Sequence, residues 1–235
     1  MPSEKLMKIA VIIPAYNEEK SIGKIIAKIP RDIVHEVIVV NNNSTDKTAE
    51  NALKAGATVL YESFQGYGAA CLKGIDYCRS KSYEIIVFMD GDYSDFPEEI
   101  KLLVNPIINE KYDFVLGSRV IGKREKGALP LQSRIGSIIA GFLMNLFWGV
   151  KYTDLGPFRA IKFDKLLNLD MQDKWYGWTV EMQIKAAQQK LKIIELPVRY
   201  RKRIGQSKVT GTVKGTIMAS FIIMKTIFYY ALKKK

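Results

Sequence analysis

Residues 83–92 read Tyr-Glu-Ile-Ile-Val-Phe-Met-Asp-Gly-Asp. A short continuous apolar run such as Ile85–Met89 fits a strand buried on both faces of a sheet. Asp90 and Asp92 follow at its C-terminal end, and in open α/β sheets ligands bind outside the carboxyl ends of the strands. Two carboxylates separated by one small residue, Gly91, can hold a hard divalent cation through oxygen and leave room for phosphate ligands. A D-x-D triplet alone is common in acidic turns; its place after a buried strand gives it weight.

The pattern repeats on either side. Lys8 to Pro14 and Val34 to Val40 are two more apolar runs, and Ala57 to Tyr61 and Phe114 to Gly117 are shorter ones. Between them, Glu18 to Ile29 places Ile22, Ile25, Ile26 and Ile29 on one helical face, closed by Pro30. Ser44-Thr45-Asp46 offers N-cap chemistry for a helix to about Ala55, closed by Gly56. Gly68 to Arg79 and Pro97 to about Ile108 complete the alternation. Strands alternating with helices predict an α/β fold with a mostly parallel central sheet flanked by helices. After Gly117 the pattern changes. A basic loop covers about Val120 to Leu129, an apolar segment Ile135 to Val150, a helix about Val180 to Gln189, a strand Lys192 to Val198, and a second apolar segment Ile217 to Leu232.

The chain has 235 residues, of which 48% are hydrophobic and 11% aromatic, which excludes disorder for its bulk. Two cysteines and one histidine exclude a disulfide scaffold and make a zinc site a poor reading. Cys71 and Cys78 read as core thiols, and His35, at the start of a strand, as structural. The polar start before the first strand carries no apolar signal-type segment, so the chain is expected on the cytosolic side. The net charge of +12 calls for an anionic partner. No groove-reading helix or aromatic RNA-binding signature accompanies it, so no nucleic acid is expected. The two apolar segments are short for a span, which needs about 20 residues. They read as core helices or as helices lying on an anionic membrane surface, with Lys233, Lys234 and Lys235 near the headgroups.

Other strand ends converge on the edge that carries Asp90 and Asp92. Pro14-Ala15-Tyr16-Asn17-Glu18 follows the first strand, Asn41-Asn42-Asn43-Ser44 the second, and Gln65-Gly66-Tyr67-Gly68 precedes the third helix. Glycines let backbone approach a ligand, and a helix N-terminus favours phosphate, although Gly-x-Gly alone is equally a plain tight turn.

Taken in order, these blocks resemble glycosyltransferase family 2 enzymes of GT-A fold, within them the dolichyl-phosphate mannose synthase and polyprenyl-phosphate glycosyltransferase group. The resemblance covers about residues 8–212. It rests on I-P-A-Y-N-E-E at 13–19, V-V-N-N-N-S-T-D at 39–46, G-Y-G-A-A at 66–70 and D-G-D at 90–92. It continues with L-G-S-R at 116–119, D-L-G-P-F-R-A at 154–160, W-T-V-E-M at 178–182 and R-I-G-Q-S-K at 203–208. The resemblance implies a nucleotide-sugar donor lined by Pro14, Ala15, Tyr16, Asn17, Glu18, Asn41, Asn43, Gly66, Gly68 and Gly91. It implies Mg2+ or Mn2+ on Asp90 and Asp92, with Asp92 the principal ligand. Arg119, Arg134, Asp154, Trp178, Arg203 and Lys208 would face the acceptor; Arg119 and Glu181 would join the two aspartates as catalytic residues, and Tyr176 with Trp178 would pack a sugar face. Three positions depart from the family: Asn41 stands where many members carry Asp, Tyr67 where a basic residue often stands, and Ser94 where mannose synthases carry Gln.

The chain accordingly reads as a nucleotide-sugar half (1–118), an acceptor half of the same GT-A domain (119–211) and an apolar, basic C-terminal helix (212–235). The reaction expected is inverting transfer from a nucleotide diphosphate sugar, UDP-glucose or GDP-mannose, to a polyprenyl phosphate at the cytosolic membrane face. A hydroxyl acceptor would need a general base, for which Asp154 or Glu181 stands available. A silent, basic, membrane-associated binding module is a third reading, against which the intact D-G-D speaks. Oligomeric state is left open.

Overall fold

The structure, a computed structural model, describes residues 7–205, 207 and 213–233. Seven strands form one sheet: β1 (Ile9–Ala15), β2 (Val34–Asn41), β3 (Thr58–Tyr61), β4 (Ile85–Phe88), β5 (Phe114–Ser118), β6 (Arg159–Lys162) and β7 (Ile193–Pro197), in the order β3-β2-β1-β4-β6-β5-β7. All neighbours run parallel except β6, which is antiparallel to both β4 and β5.

Side chains alternate across the sheet with period two. Ala10, Ile12, Ile38, Val40, Ile86 and Phe88 enter one core; Ile9, Val11, Ile13, Val37, Val39, Ile85 and Val87 enter the other. The first core packs against helices α3 (Tyr67–Arg79), α5 (Leu131–Trp148), α7 (Trp178–Gln188) and α8 (Val213–Leu232). Helices α1 (Ile22–Ile26) and α4 (Ile100–Asn109) cover the second core, and α2 (Thr48–Lys54) adds Ala52 to it. The short α6 (Phe163–Asn168) follows β6 directly.

The expected helix over Glu18 to Ile29 contracts to α1. Tighter turns flank it: Ser21 N donates to Glu18 O, and Lys28 N and Ile29 N reach back only to Ile25 O and Ile26 O. The apolar spacing nonetheless holds, since Ile22, Ile25, Ile26 and Ile29 are all buried. Asp46 caps α2 from outside, accepting from Thr48 N at 2.9 Å and Glu19 N at 3.1 Å. The segment expected from Ile135 begins earlier, at Leu131 behind Pro130, and ends at Gly149, whose left-handed φ of 71° lets its N–H reach Asn145 O. β6 and α6 were not anticipated. β6 reads Arg-Ala-Ile-Lys, with a charged residue at each end, and lacks the apolar run that marks the other central strands. Cys71 and Cys78 are buried and free, and His35 accepts from Ile9 N at 3.2 Å, as structural residues do.

Candidate active site

β4 delivers Asp90 and Asp92 to the C-terminal edge of the sheet, beside the end of β1. Asp92 Oδ1 accepts from Ser94 N at 2.8 Å and from the Ser94 hydroxyl, while Oδ2 faces Arg203 Nη1 at 3.2 Å. Arg203 Nη2 also donates to Glu18 Oε1 at 3.1 Å, so one guanidinium bridges two carboxylates. Burial and the neighbouring Asp92 push the Asp90 carboxyl up to about 7, against the pull of Arg203 and Arg119. Asp95 is buried too, and burial, then Asp90 and Asp92, raise it well above the ordinary carboxylate range. A pair of hard oxygen donors whose charges burden each other is a donor set that a divalent cation suits. Among the described residues, no group of three acidic, histidine or cysteine side chains converges to hold a metal. Asp90 and Asp92, the residues expected to hold a metal, offer two carboxylates between them at the mouth of the sheet.

The chain around these acids is stitched to a strap at 199–204. Arg201 N donates to Ser94 O, Ile204 N to Asp92 O, and the Arg201 guanidinium to Tyr93 O and Asp95 O. That guanidinium lies 3.4 Å from the Tyr93 ring centroid and 4.3 Å from that of Phe96. Tyr93 needs this hold, since its φ of 69° is costly for an aromatic residue. On its other side the strap pairs with the basic loop: Tyr200 N donates to Lys123 O, and Glu125 N to Tyr200 O.

Two cavities meet at the acids. One, of about 390 Å³, runs from Asp90, Gly91, Asp92 and Arg203 past Pro14, Ala15, Tyr16 and Glu18 to Asn42, Gln65 and Gly66, with Tyr67, Trp175 and Tyr176 in its wall. It therefore crosses the strand ends in the order β4, β1, β2. The other, of about 470 Å³, shares Tyr67, Asp90, Asp92, Tyr176 and Arg203 with the first. It passes Arg119, Tyr200 and Lys202 and continues between α5 and α8, along Leu129, Pro130, Gly136, Ser137, Leu155, Ala219 and Ile223.

Arg119 is fixed by a bidentate pair: its Nε and Nη2 donate to Asp154 Oδ2 and Oδ1, both at 2.8 Å. Burial opposes a low pKa for Asp154, but the Arg119 charge and its hydrogen bonds win and hold it below the usual range. Asp154 is thereby committed to positioning Arg119.

The structure gathers Pro14, Ala15, Tyr16, Glu18, Gly66, Asp90, Gly91, Asp92 and Arg203 around the first cavity. It does not bring Asn17, Asn41, Asn43 or Gly68 to its wall. Asn41 Oδ1 accepts from Ser44 N and closes a local turn, while Asn17 Oδ1 accepts from Thr45 N and ties the loop after β1 to the loop after β2. Their neighbour Asn42 lines the cavity and accepts from Gly66 N at 2.8 Å. Gly66 and Gly68 serve a close approach of backbone, since a Cβ would lie 2.2 Å from Lys174 O and 2.0 Å from Asp173 O respectively. Trp178 requires correction as a ligand-facing residue. It is fully buried, packed on the Phe88 ring at 4.7 Å. Trp175, three residues earlier and 47% exposed, lines the cavity instead. Glu181 requires the same correction: it is buried, lines neither cavity, and accepts from Gln172 N, Asp173 N and the Tyr230 hydroxyl. Arg134 faces a separate polar cavity with Arg124, Glu125 and Lys126, while Ser133 and Ser137 beside it line the second cavity. Lys208 lies outside the described residues. Asn42 and Gln65 lie within the strand-end blocks read from sequence, without a role of their own there; Trp175 and Ser137 gave only adjacency to the quoted blocks as a signal, and Lys202 only its place in the basic run 199–203.

The sequence model of a family described as Glycosyl transferase family 2 matches residues 10–169. A dolichyl-phosphate hexose transferase of Haloferax volcanii is 31% identical over 220 residues, covering 92% of each chain. An undecaprenyl-phosphate mannosyltransferase of Micrococcus luteus is 29% identical over 222 residues, covering 89% of this chain and 90% of the relative. Among solved structures, glucosyl-3-phosphoglycerate synthase from Mycobacterium tuberculosis, in complex with Mn2+, uridine diphosphate and phosphoglyceric acid, superposes with a TM-score of 0.75 at 21% identity. That match covers 96% of this chain and 78% of the synthase. The fold is thus GT-A, as the resemblance implied.

Proposed function

Since the chain belongs to glycosyl transferase family 2, we propose that it transfers a sugar from a nucleoside diphosphate donor to a polyprenyl phosphate at a membrane surface. The observation that carries this reading is the second cavity. It begins at Asp90 and Asp92, passes Arg119, Lys202 and Arg203, and continues between two helices along Leu129, Leu155, Ala219 and Ile223, with Ser133, Ser137, Thr216 and Ser220 set among them. An anionic head and a long apolar tail match that sequence of linings.

In this reading the donor lies in the first cavity, with its base towards Asn42, Gln65 and Tyr16 and its diphosphate towards Asp90, Asp92 and Arg203. Asp90 and Asp92 would hold Mg2+ or Mn2+, which when bound supplies positive charge against the leaving diphosphate. Arg203 is placed to leave its bridge between Glu18 and Asp92 and meet phosphate oxygens. Arg119, locked by Asp154, presents a fixed cation to the acceptor phosphate. A phosphate monoester has a second pKa of about 6 and is already a nucleophile at neutral pH, so no general base is needed. The two carboxylates read from sequence as bases for a hydroxyl acceptor, Asp154 and Glu181, are both engaged in holding other groups and stand outside the cavity lining, which supports this reading. Attack from the side opposite the diphosphate inverts the anomeric carbon. The apolar faces of α5 and α8 would rest on the membrane, on its cytosolic side.

The test is transfer from a panel of labelled nucleotide sugars to polyprenyl phosphate in detergent, with Mn2+ or a chelator. Metal-dependent label in the lipid phase from one donor is the expected result. Nucleotide release without lipid labelling would replace the lipid by a hydroxyl acceptor, and silence with every donor would leave a binding module. Asp92→Ala is expected to lower kcat by about 10²–10³, the scale of losing one preorganised electrostatic group, with an unchanged circular dichroism spectrum.

A further inference from the structure

Glu181 sits on α7, buried, and carries more contacts than a packing residue needs. Its carboxylate accepts from Gln172 N at 3.0 Å and Asp173 N at 2.8 Å, which fixes the start of the loop 172–176. That loop carries Trp175 and Tyr176 into the cavity walls; Tyr176 stands where the two cavities meet. Its far side is fixed by Gly68 N donating to Trp175 O and Ala69 N to Lys174 O. The same carboxylate also reaches α8, where the Tyr230 hydroxyl donates to Oε1 at 2.8 Å. Lys185 Nζ lies 2.8 Å from Oε1 and 5.7 Å from the centroid of the Tyr230 ring. A second contact runs alongside, since a Cβ on Gly177 would lie 2.6 Å from both Thr226 Oγ1 of α8 and Asp173 Oδ2. Further up, α8 walls the second cavity with Ala219 and Ile223.

We infer that Glu181 is a positioning residue that, clamped by Tyr230, holds the loop 172–176 over the junction of the two cavities, so that the seating of α8 sets the order of the donor site. The inference rests on the donor reading above only for what the loop meets; the hold on the loop stands without it. By this linkage the helix that walls the acceptor cavity also supports the donor wall.

The probe is Trp175. In a Trp148→Phe background the remaining tryptophans are Trp175, 47% exposed, and the fully buried Trp178. Acrylamide quenching then reports the loop. Tyr230→Phe keeps the ring and removes one hydrogen bond, a loss that shifts an opening equilibrium about fivefold. We expect a raised quenching constant and a weaker Kd for uridine diphosphate or guanosine diphosphate with Mn2+, by up to the same factor, with donor KM rising and kcat held. Glu181→Gln is expected to move all readouts further the same way. Leu103→Ala, a truncation in α4 on the other face of the sheet, is the control that lowers Tm without moving the quenching constant. If Tyr230→Phe behaves as that control does, with Tm lowered but quenching and Kd unchanged, Glu181 is merely structural and the inference falls. If the parent protein binds no nucleoside diphosphate while the quenching still responds, the donor reading falls and the hold on the loop survives.

Discussion

Asp154 directs both oxygens at Arg119, and this pair shows how a carboxylate can matter to a site it does not line. Breaking a buried pair by removing one partner costs about 3–5 kcal/mol, so Asp154→Asn is expected to lower unfolding free energy on that scale in denaturant titration. The folded pKa of Asp154 is depressed, so its contribution is present above its unfolded value and is lost as pH falls through the folded value. Parent and variant should therefore converge in stability in acid, below about pH 4. Glycines divide by the same geometric reasoning. A Cβ on Gly68 would lie 2.0 Å from Asp173 O, whereas one on Gly91 would meet Pro14 O at 3.4 Å, ordinary contact. Gly68→Ala should cost about 1–3 kcal/mol and loosen the Trp175 loop; Gly91→Ala should fold normally. The acid pair was legible from sequence because an apolar run points straight at it. Glu181 and Trp178 were not, because a motif shows adjacency along the chain and not which side of a helix turns inward.

At the scale of elements, β1, β4 and the Val37–Val40 stretch of β2 announced themselves, since a strand covered on both faces is mostly apolar. β6 hid because its first residue, Arg159, is fully buried yet charged, donating to Gly156 O and Thr179 O. The apolar segments were visible as composition, but their outward faces came from the structure. On α5, Leu131, Ile138, Phe142 and Leu146 are exposed; on α8, Ile217, Phe221 and Leu232 are. Among the described residues one helix, over Lys214–Leu232, is long and apolar enough to cross a membrane by length and composition. If these faces rest in a lipid interface, Phe142→Glu and Phe221→Glu should each weaken sedimentation with anionic vesicles by tenfold or more, as burying a Phe is worth about 1.5–3 kcal/mol. Fold and nucleotide binding should be untouched, because both residues are exposed and neither lines either of the two cavities at the acids.

Over the whole molecule, the net charge of +12 adds a second, salt-sensitive attraction to the same vesicles. Raising ionic strength, which shortens the screening length to about 3 Å at 1 M, should weaken binding of parent and Phe variants in the same proportion. The halves expected on either side of residue 118 share one sheet, and its strand order interleaves them. β5, the last strand of the first half, pairs with β6 and β7 and with no earlier strand. This has a consequence for the protein's birth on the ribosome. Between Ser118, where β5 ends, and Lys162, where β6 ends, lie 162 − 118 = 44 residues. At about 5–20 residues per second that is a wait of roughly 2–9 s. Throughout it, a nascent chain holds an apolar strand with both edges unclaimed, a natural hold point for a chaperone.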